Sequence, residues 1–394
     1  MSSQSLKVVA DAHIWGVESA FASLPGFDVD LHAVESRDIT HEALKDADIL
    51  LTRSSTRVNE DLLKGTSVRF AATATIGDDH YDKAWLEANG IAWANAAGSS
   101  TGSVIEYMLT ALLELHQQQR IDIPQTRLGI IGVGRIGRAL ATVCEAMGIS
   151  LLLNDPPRAR VEGEASFASL DQLLQGADLL TLHTPLVREG DESTCHLIDA
   201  PLLSHFRGRG IINAARGGCV DNEALADWLD ADSGRFALLD CWEGEPHISK
   251  RLLIHPQVVI ATPHIAGHSL DGKAANTQYA YDALCQYLGV EPLWRMEEAL
   301  PVTDPPKVSC CGDVWSDMHA IALSLYPIKR DVVEMRSWAS LSEEDSARAF
   351  AAYRRHYPVR RSWTKVNVKL ESGAVPPLFK KVVHLMRSHL LAYR

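Results

Sequence analysis

Three short segments place polar side chains where chemistry could be done: Asn213-Ala214-Ala215-Arg216-Gly217-Gly218, Asp240-Cys241-Trp242-Glu243-Gly244-Glu245-Pro246 and Thr262-Pro263-His264-Ile265-Ala266-Gly267-His268. Arg216 offers a planar fork of N–H donors that matches a carboxylate. His264 can take a hydroxyl proton and return it. Glu245 can hold the imidazole by a hydrogen bond and favour its protonated form. Cation, base and orienting acid are what the oxidation of a 2-hydroxy acid requires, together with a hydride acceptor. Each residue alone has a plainer reading, as a surface ion pair or a loop acid or base. His264 and His268 stand at the i, i+4 spacing of some zinc sites, but Pro263 and Gly267 favour a loop there and no third ligand presents itself, so no metal is expected.

The acceptor site is suggested by Gly132-Val133-Gly134-Arg135-Ile136-Gly137. The motif follows an apolar strand over 126–131 and opens a helix, the context in which such glycines make a tight turn, admit a pyrophosphate and pack helix on strand. The helix N-terminus then presents unpaired N–H groups to phosphates. The next apolar strand, 150–154, ends at Asp155, whose carboxylate can accept both ribose hydroxyls and repel a 2′-phosphate. NAD is therefore expected rather than NADP, with Gly132, Gly134, Arg135, Ile136, Gly137 and Asp155 as contacts.

These loops need a scaffold that brings strand ends together, and the chain carries one. Apolar runs at 6–10, 49–52 and 68–74 alternate with helix turns at 41–45 and 59–64, which is an α/β pattern. An apolar-periodic helix covers 103–116, with Thr101 or Ser103 as its cap. Strand-like runs then recur at 126–131, 150–154, 179–183, 210–213, 237–239 and 258–260, separated by helices, as in a Rossmann-type doubly wound parallel sheet. Another amphipathic helix spans 272–288, and the proline-rich stretch 301–306 marks a boundary. Beyond it Arg354, Arg355, Arg360, Arg361, Lys380 and Lys381 make a basic tail, read as a solvated helix face or a subunit contact, or as the source of an arginine for a neighbour's site.

The net charge of −12 speaks against broad nucleic-acid binding, and it obliges an anionic ligand to find a locally basic pocket. No run approaches the roughly 20 apolar residues of a membrane helix, and residues 1–11 show no export signal. The seven cysteines form no Cys-x-x-Cys pattern and fit reduced thiols in a cytoplasmic protein.

Taken together, these motifs resemble the D-isomer-specific 2-hydroxyacid dehydrogenases, over roughly residues 1–300. The resemblance implies that Arg216, Glu245 and His264 are the catalytic trio, and that Asp240, Thr184 (in His183-Thr184-Pro185) and Gly267 lie at the cofactor. It also implies a flavodoxin-like α/β substrate domain, 1–102 with 265–300, split by the NAD-binding domain 103–264. A branch of the family acting on a small anionic phosphorylated 2-hydroxy acid is suggested by Arg53-Ser54, Thr73-Ala74-Thr75-Ile76-Gly77, Asp155-Pro156-Pro157-Arg158 and Trp242 through Pro246. Lys329-Arg330-Asp331 and Arg360-Arg361-Ser362-Trp363 add a small α+β C-terminal dimerisation domain, 301–394, and hence a homodimer. By this resemblance Ser54 and Thr75 touch substrate. Arg53 is the first candidate for a phosphate, and His268, where that branch usually has tyrosine, is the second. Two other readings stay open: a dehydrogenase for phosphoglycerate, glyoxylate or hydroxypyruvate, or a corepressor-like protein that binds NAD(H) to sense it.

Overall fold

A computed structural model describes residues 4–391. The first residues of the segment 1–11 and the last residues of the segment 301–394 lie outside the described residues. The chain folds into two compact units: residues up to Ser100 with Ser269–Thr303, and Thr101–His268 with the residues from Asp304 onward.

The first unit holds a parallel sheet of β1 (Gln4–Asp11), β2 (Phe27–Val34), β3 (Ile49–Thr52), β4 (Phe70–Thr73) and β5 (Ala92–Asn95), in the order β2-β1-β3-β4-β5. That is the flavodoxin-like order, in which ligands bind beyond the carboxyl ends of the strands. Central strands β3 and β4 are buried at every position, as strands covered on both faces must be. Helix Leu270–Leu288 closes one face with Tyr281 and Leu284, and Leu44, Leu63 and Leu86 from short helices close the other. The sequence reading passed over β2, although Phe27-Asp28-Val29-Asp30-Leu31-His32 alternates plainly. Its side chains bury only partly, as befits an edge strand.

The second unit is built on six parallel strands: β6 (Arg127–Ile131), β7 (Ser150–Asn154), β8 (Leu179–Leu182), β9 (Gly210–Asn213), β10 (Phe236–Leu239) and β11 (Val258–Ala261). Their order is β11-β10-β9-β8-β6-β7, so the chain reverses direction beside β6, where the glycine loop leaves the sheet. Strands β8, β9 and β10 are buried at every position while the edge strand β7 is only partly so, and each fully buried Leu, Ile or Val stabilises the fold by about 1.5–3 kcal/mol. Two cores flank the sheet.

Residues of the segment 301–394, expected from the sequence to form a C-terminal domain, contribute to both of these cores. Met318, Ile321, Trp363 and Phe379 join the one and Met335, Trp338 and Phe350 the other. The segment is mostly helical, with one short parallel pair, β12 (Lys307–Ser309) and β13 (Lys369–Ser372). Helix Thr101–Gln117 explains the attachment. It is buried from Thr101 to Leu115 and carries two acids inside, Glu106 and Glu114. Glu106 accepts from the Ser362 hydroxyl at 2.6 Å and the Trp363 N–H at 2.9 Å, while Glu114 bonds His319 at 2.7 Å and Lys329 at 3.1 Å. Buried carboxylates need such partners, and the tail supplies them. This helix starts at Thr101, so Thr101 and Ser103 lie inside it rather than capping it.

All seven cysteines are free. Among the described residues, no helix is long and apolar enough to cross a membrane.

Candidate active site

The glycine loop takes the conformation its sequence requires. Gly132 has φ +86°, and a Cβ there would lie 2.8 Å from the His183 carbonyl carbon and from the Thr184 methyl. Thr184 is thus held against the loop. A Cβ on Gly137 would meet the Gly132 oxygen at 2.1 Å, so only glycine lets helix Arg135–Ala146 pack this closely on β6. Gly134 is different: a Cβ there would meet nothing within 4 Å. It opens the helix, and no side chain among the described residues caps it. Arg135 and Ile136 form the first helical turn, whose N–H groups and dipole favour a phosphate.

Asp155 follows β7 and braces this loop. One carboxylate oxygen accepts the Val133 N–H at 2.8 Å, and the other caps helix Pro156–Glu162 through the Arg158 N–H at 3.1 Å. Arg158 brings a cation to this loop, which could have invited a 2′-phosphate. Its guanidinium is instead engaged by the Val133 carbonyl and, at 2.6 Å, by Glu162. The open face at Gly134, the uncapped helix and the Asp155 carboxylate fit NAD.

The catalytic candidates sit on loops after β9, β10 and β11. Asn213, the last residue of β9, shapes the first loop by donating to the Arg216 carbonyl at 3.0 Å and accepting the Ala215 N–H at 3.2 Å. Gly217 lets this loop meet the next: a Cβ there would fall 1.9 Å from the Trp242 oxygen. Arg216 Nη1 and the Cys241 thiol both donate to the Ala215 carbonyl, at 2.9 and 3.3 Å. The second loop is pinned by Trp242, whose indole donates to the Thr262 carbonyl at 2.9 Å. Glu245 accepts the Trp242 N–H through Oε1 at 2.6 Å and faces His264 Nδ1 through Oε2 at 2.8 Å.

Electrostatics follow from this packing. Burial would raise the Glu245 carboxyl, but the His264 imidazole, Arg354 and the Trp242 N–H together hold it below its ordinary value. Burial pushes the Cys241 thiol well above its usual range. Ligand atoms of Cys241, Glu245 and His264 lie within 4.8 Å of one another, a conceivable metal set. Yet the thiol keeps its proton on the Ala215 carbonyl, and the acid and the imidazole are spent on each other, so the trio reads as a hydrogen-bonded cluster.

Asp240 has a task the sequence did not suggest. Fully buried, it accepts from the Thr262 hydroxyl at 2.8 Å and from the N–H groups of Ile265 and Ala266 at 2.8 and 3.0 Å. Burial raises this carboxyl, with His264 and these donors opposing. Asp240 thereby shapes the loop that carries His264, at φ +54°, together with half-buried Gly267 and His268. Two residues of the basic tail reach this loop, a tie the sequence did not show because they lie far along the chain: Arg354 donates to the His264 carbonyl at 3.3 Å and Arg360 to that of Ala266 at 2.8 Å. Arg360, read as part of a solvated or subunit-facing tail, is buried within its own unit.

The proposed substrate contacts Arg53, Ser54 and Thr75 belong to the first unit. Arg53 and Ser54 follow β3 and Thr75 follows β4, and because Thr52 pairs with Thr73 the two loops leave one sheet edge side by side. Thr75 shares a hydrogen bond with Thr73 at 2.7 Å, and His80 reaches Thr73 at 3.1 Å.

Comparison with known proteins agrees with this geometry. Residues 110–266 match the family described as D-isomer specific 2-hydroxyacid dehydrogenase, NAD binding domain. The chain belongs to the D-isomer-specific 2-hydroxyacid dehydrogenase family and is an NAD-dependent oxidoreductase. Over 381 residues it is 38% identical to the erythronate-4-phosphate dehydrogenase of Pseudomonas savastanoi pv. phaseolicola, covering 95% of this chain and 98% of that one. It is 37% identical over 379 residues to the erythronate-4-phosphate dehydrogenase of Escherichia coli O127:H6, with 96% and 97% covered. The crystal structure of D-lactate dehydrogenase from Aquifex aeolicus, complexed with NAD and lactic acid, shares the fold at a TM-score of 0.60 and 22% identity, covering 72% of this chain and 95% of that one.

Proposed function

We propose that the protein oxidises 4-phospho-D-erythronate to 3-hydroxy-2-oxo-4-phosphooxybutanoate with NAD, on the route to pyridoxal phosphate. The observation that carries this reading is the His264–Glu245 pair beside the Arg216 loop, in a chain that aligns over 95% of its length with a relative of that name. NAD, when bound, supplies the hydride acceptor. Gly132, Gly134, Arg135, Ile136, Gly137, Asp155 and Thr184 would hold it, with Asp240 and Gly267 shaping the wall near the reacting ring. Arg216 receives the substrate carboxylate in a two-pronged hydrogen bond. His264 takes the 2-hydroxyl proton on Nε2 while the C2 hydrogen leaves with its electron pair, and the C2–O bond becomes a carbonyl. Glu245 keeps Nδ1 protonated and stabilises the imidazolium that forms.

Arg53 and then His268 are the candidates for the phosphate, with Ser54 and Thr75 as further substrate contacts. In this reading residues 1–102 with 265–300 form the substrate domain, 103–264 the NAD-binding domain and 301–394 the dimerisation domain of a cytoplasmic homodimer. The test is a panel of phosphorylated and plain 2-hydroxy acids supplied with NAD, read as NADH absorbance. Preference for 4-phosphoerythronate is expected, with turnover lost in His264→Ala while NAD still binds. A preference for 3-phosphoglycerate or another acid would remove the substrate, and undiminished turnover in His264→Ala would remove the base.

A further inference from the structure

The loop that carries His264 is held from two sides. From within, Asp240 binds the N–H groups of Ile265 and Ala266. The carbonyls of the same loop are met by guanidinium groups from residues beyond 304. Arg354, at the end of helix Glu343–Arg355, donates from Nε to the His264 carbonyl at 3.3 Å. Arg360 donates from Nη2 to the Ala266 carbonyl at 2.8 Å, and its guanidinium lies 4.2 Å from the centroid of the Tyr326 ring. A third contact sets the His268 ring at 90° to that of Tyr357, 6.0 Å between centroids. Tyr357 and Tyr353 are themselves fixed, both donating to the buried carboxylate of Asp331 at 2.6 and 2.7 Å.

Two features set this apart from ordinary packing. Arg360 is only 2% exposed, and its Nε and Nη1 find no hydrogen-bond partner among the described residues. Burying a guanidinium this way is unfavourable, and its one close bond goes to a carbonyl of the His264 loop. His264 also has φ +54°, a sparsely populated conformation that persists only when its surroundings over-determine it. A carbonyl clamp at residues 264 and 266, opposed to an N–H clamp at 265 and 266, does so.

We propose that Arg354 and Arg360 are positioning residues of the dehydrogenase reaction, holding the His264 and Ala266 carbonyls so that the imidazole keeps its alignment on Glu245 and on the substrate hydroxyl. The inference rests on His264 being the base, and it gives the C-terminal segment a part in the chemistry of its own chain. Arg354 also adds a cation beside Glu245, whose other near neighbours are His264, Cys241 and the Trp242 N–H.

The experiment is a double-mutant cycle on the full-length enzyme. Arg354→Ala, Arg354→Lys and Arg360→Lys are made in the wild-type and His264→Gln backgrounds, and kcat, KM, NAD affinity and Tm are measured for each. Arg354 is half-buried at a helix end, so its replacement is compatible with folding. In the wild-type background Arg354→Ala is expected to lower kcat by about 10–100-fold, the order of loss for a slightly misplaced catalytic group. NAD affinity and Tm should hardly move, and Arg354→Lys, which can still donate to the carbonyl, should recover much of the rate. In the His264→Gln background the same change should cost less than about twofold of the residual rate, because residues acting as a unit are not additive. Equal losses in both backgrounds, or a loss that follows Tm or NAD affinity, would reduce the arginines to packing and overturn the proposal, as would unchanged kcat in Arg354→Ala and Arg360→Lys alike. Full activity in His264→Gln by itself would instead remove the base, a result visible without any arginine variant.

Discussion

Nδ1 of His264 lies 2.8 Å from Oε2 of Glu245, and the other oxygen of that carboxylate accepts the Trp242 N–H at 2.6 Å. The acid is thus fixed by backbone on one side and spends its second oxygen on orienting the imidazole. Trp242 is in turn tied to Thr262, two residues before His264. The pair is built into the β10 and β11 loops together, and a change to either loop reaches the chemistry.

Glu245→Gln is the direct test of that pair. The amide keeps the shape and loses the charge that stabilises an imidazolium, so kcat should fall by about 10²–10³-fold with NAD affinity unchanged. The wild-type carboxyl is held below its ordinary value. Its ionised form therefore persists as pH falls past the usual carboxylate range and is lost only below it. A kcat–pH profile should lose that acidic inflection in Glu245→Gln. A variant within threefold of wild type would show that the acid has no part in the reaction.

Asp155→Ala tests cofactor choice. The change removes the acceptor proposed for the ribose and the cap of helix Pro156–Glu162. Two charge-assisted hydrogen bonds are worth enough to raise KM for NAD by about 10–100-fold, and the lost cap costs about 1 kcal/mol of stability. With the repelling carboxylate gone, the preference for NAD over NADP should narrow. Parallel titrations with both cofactors check this, and an unchanged ratio would place the discrimination elsewhere.

The site was readable to the extent that its parts sit close in sequence to a strand end. Gly132, Gly134 and Gly137 announce themselves by spacing, and Asp155 by its place after the next apolar run. Arg216, Glu245 and His264 each end a strand-and-loop segment of the same sheet. What stayed hidden depends on distance along the chain. Arg354 and Arg360 read as two more charges in a basic tail, because nothing local shows that the His264 and Ala266 carbonyls will meet them. A clue was present in Glu106 and Glu114, two acids on an otherwise apolar helix that demanded buried partners, but not where those partners would come from. The strand β2 was a different failure, since its period-two pattern was visible and its half-polar edge character drew attention away from it.

Gly217→Ala probes how tightly the Arg216 loop is seated. The new methyl would lie 1.9 Å from the Trp242 oxygen and 2.1 Å from its carbonyl carbon, both backbone atoms that cannot rotate aside. One loop must move, at a cost of about 1–3 kcal/mol or more, and either movement separates Arg216 from the Glu245–His264 pair. A lower Tm is expected together with a loss of kcat/KM larger than destabilisation alone explains. Wild-type kinetics in a soluble Gly217→Ala protein would mean that the position of Arg216 is not set by this contact.

Glu114 ties the helix Thr101–Gln117 to the C-terminal segment, and its titration predicts when that tie fails. Its carboxylate meets His319 Nε2 at 2.7 Å, Lys329 Nζ at 3.1 Å and Gln118 Nε2 at 2.7 Å. Burial alone would raise its pKa, but these partners outweigh burial and bring it from an ordinary 4.5 down to about 2. A group depressed in the folded state stabilises fully above its unfolded value, and that contribution is lost as pH falls through the folded one. The Tm of wild type should therefore exceed that of Glu114→Gln most clearly above pH 4.5, with the gap closing progressively towards pH 2. At neutral pH Glu114→Gln should cost about 1.5–3 kcal/mol of stability, the range for hydrogen bonds to a charged group. Because Lys329 is mostly exposed, Lys329→Met should reproduce only a small part of it. Thermal melts of the three proteins from neutral to acid pH decide the matter: a gap that stays constant across the range would mean that Glu114 acts through its shape and not through its charge.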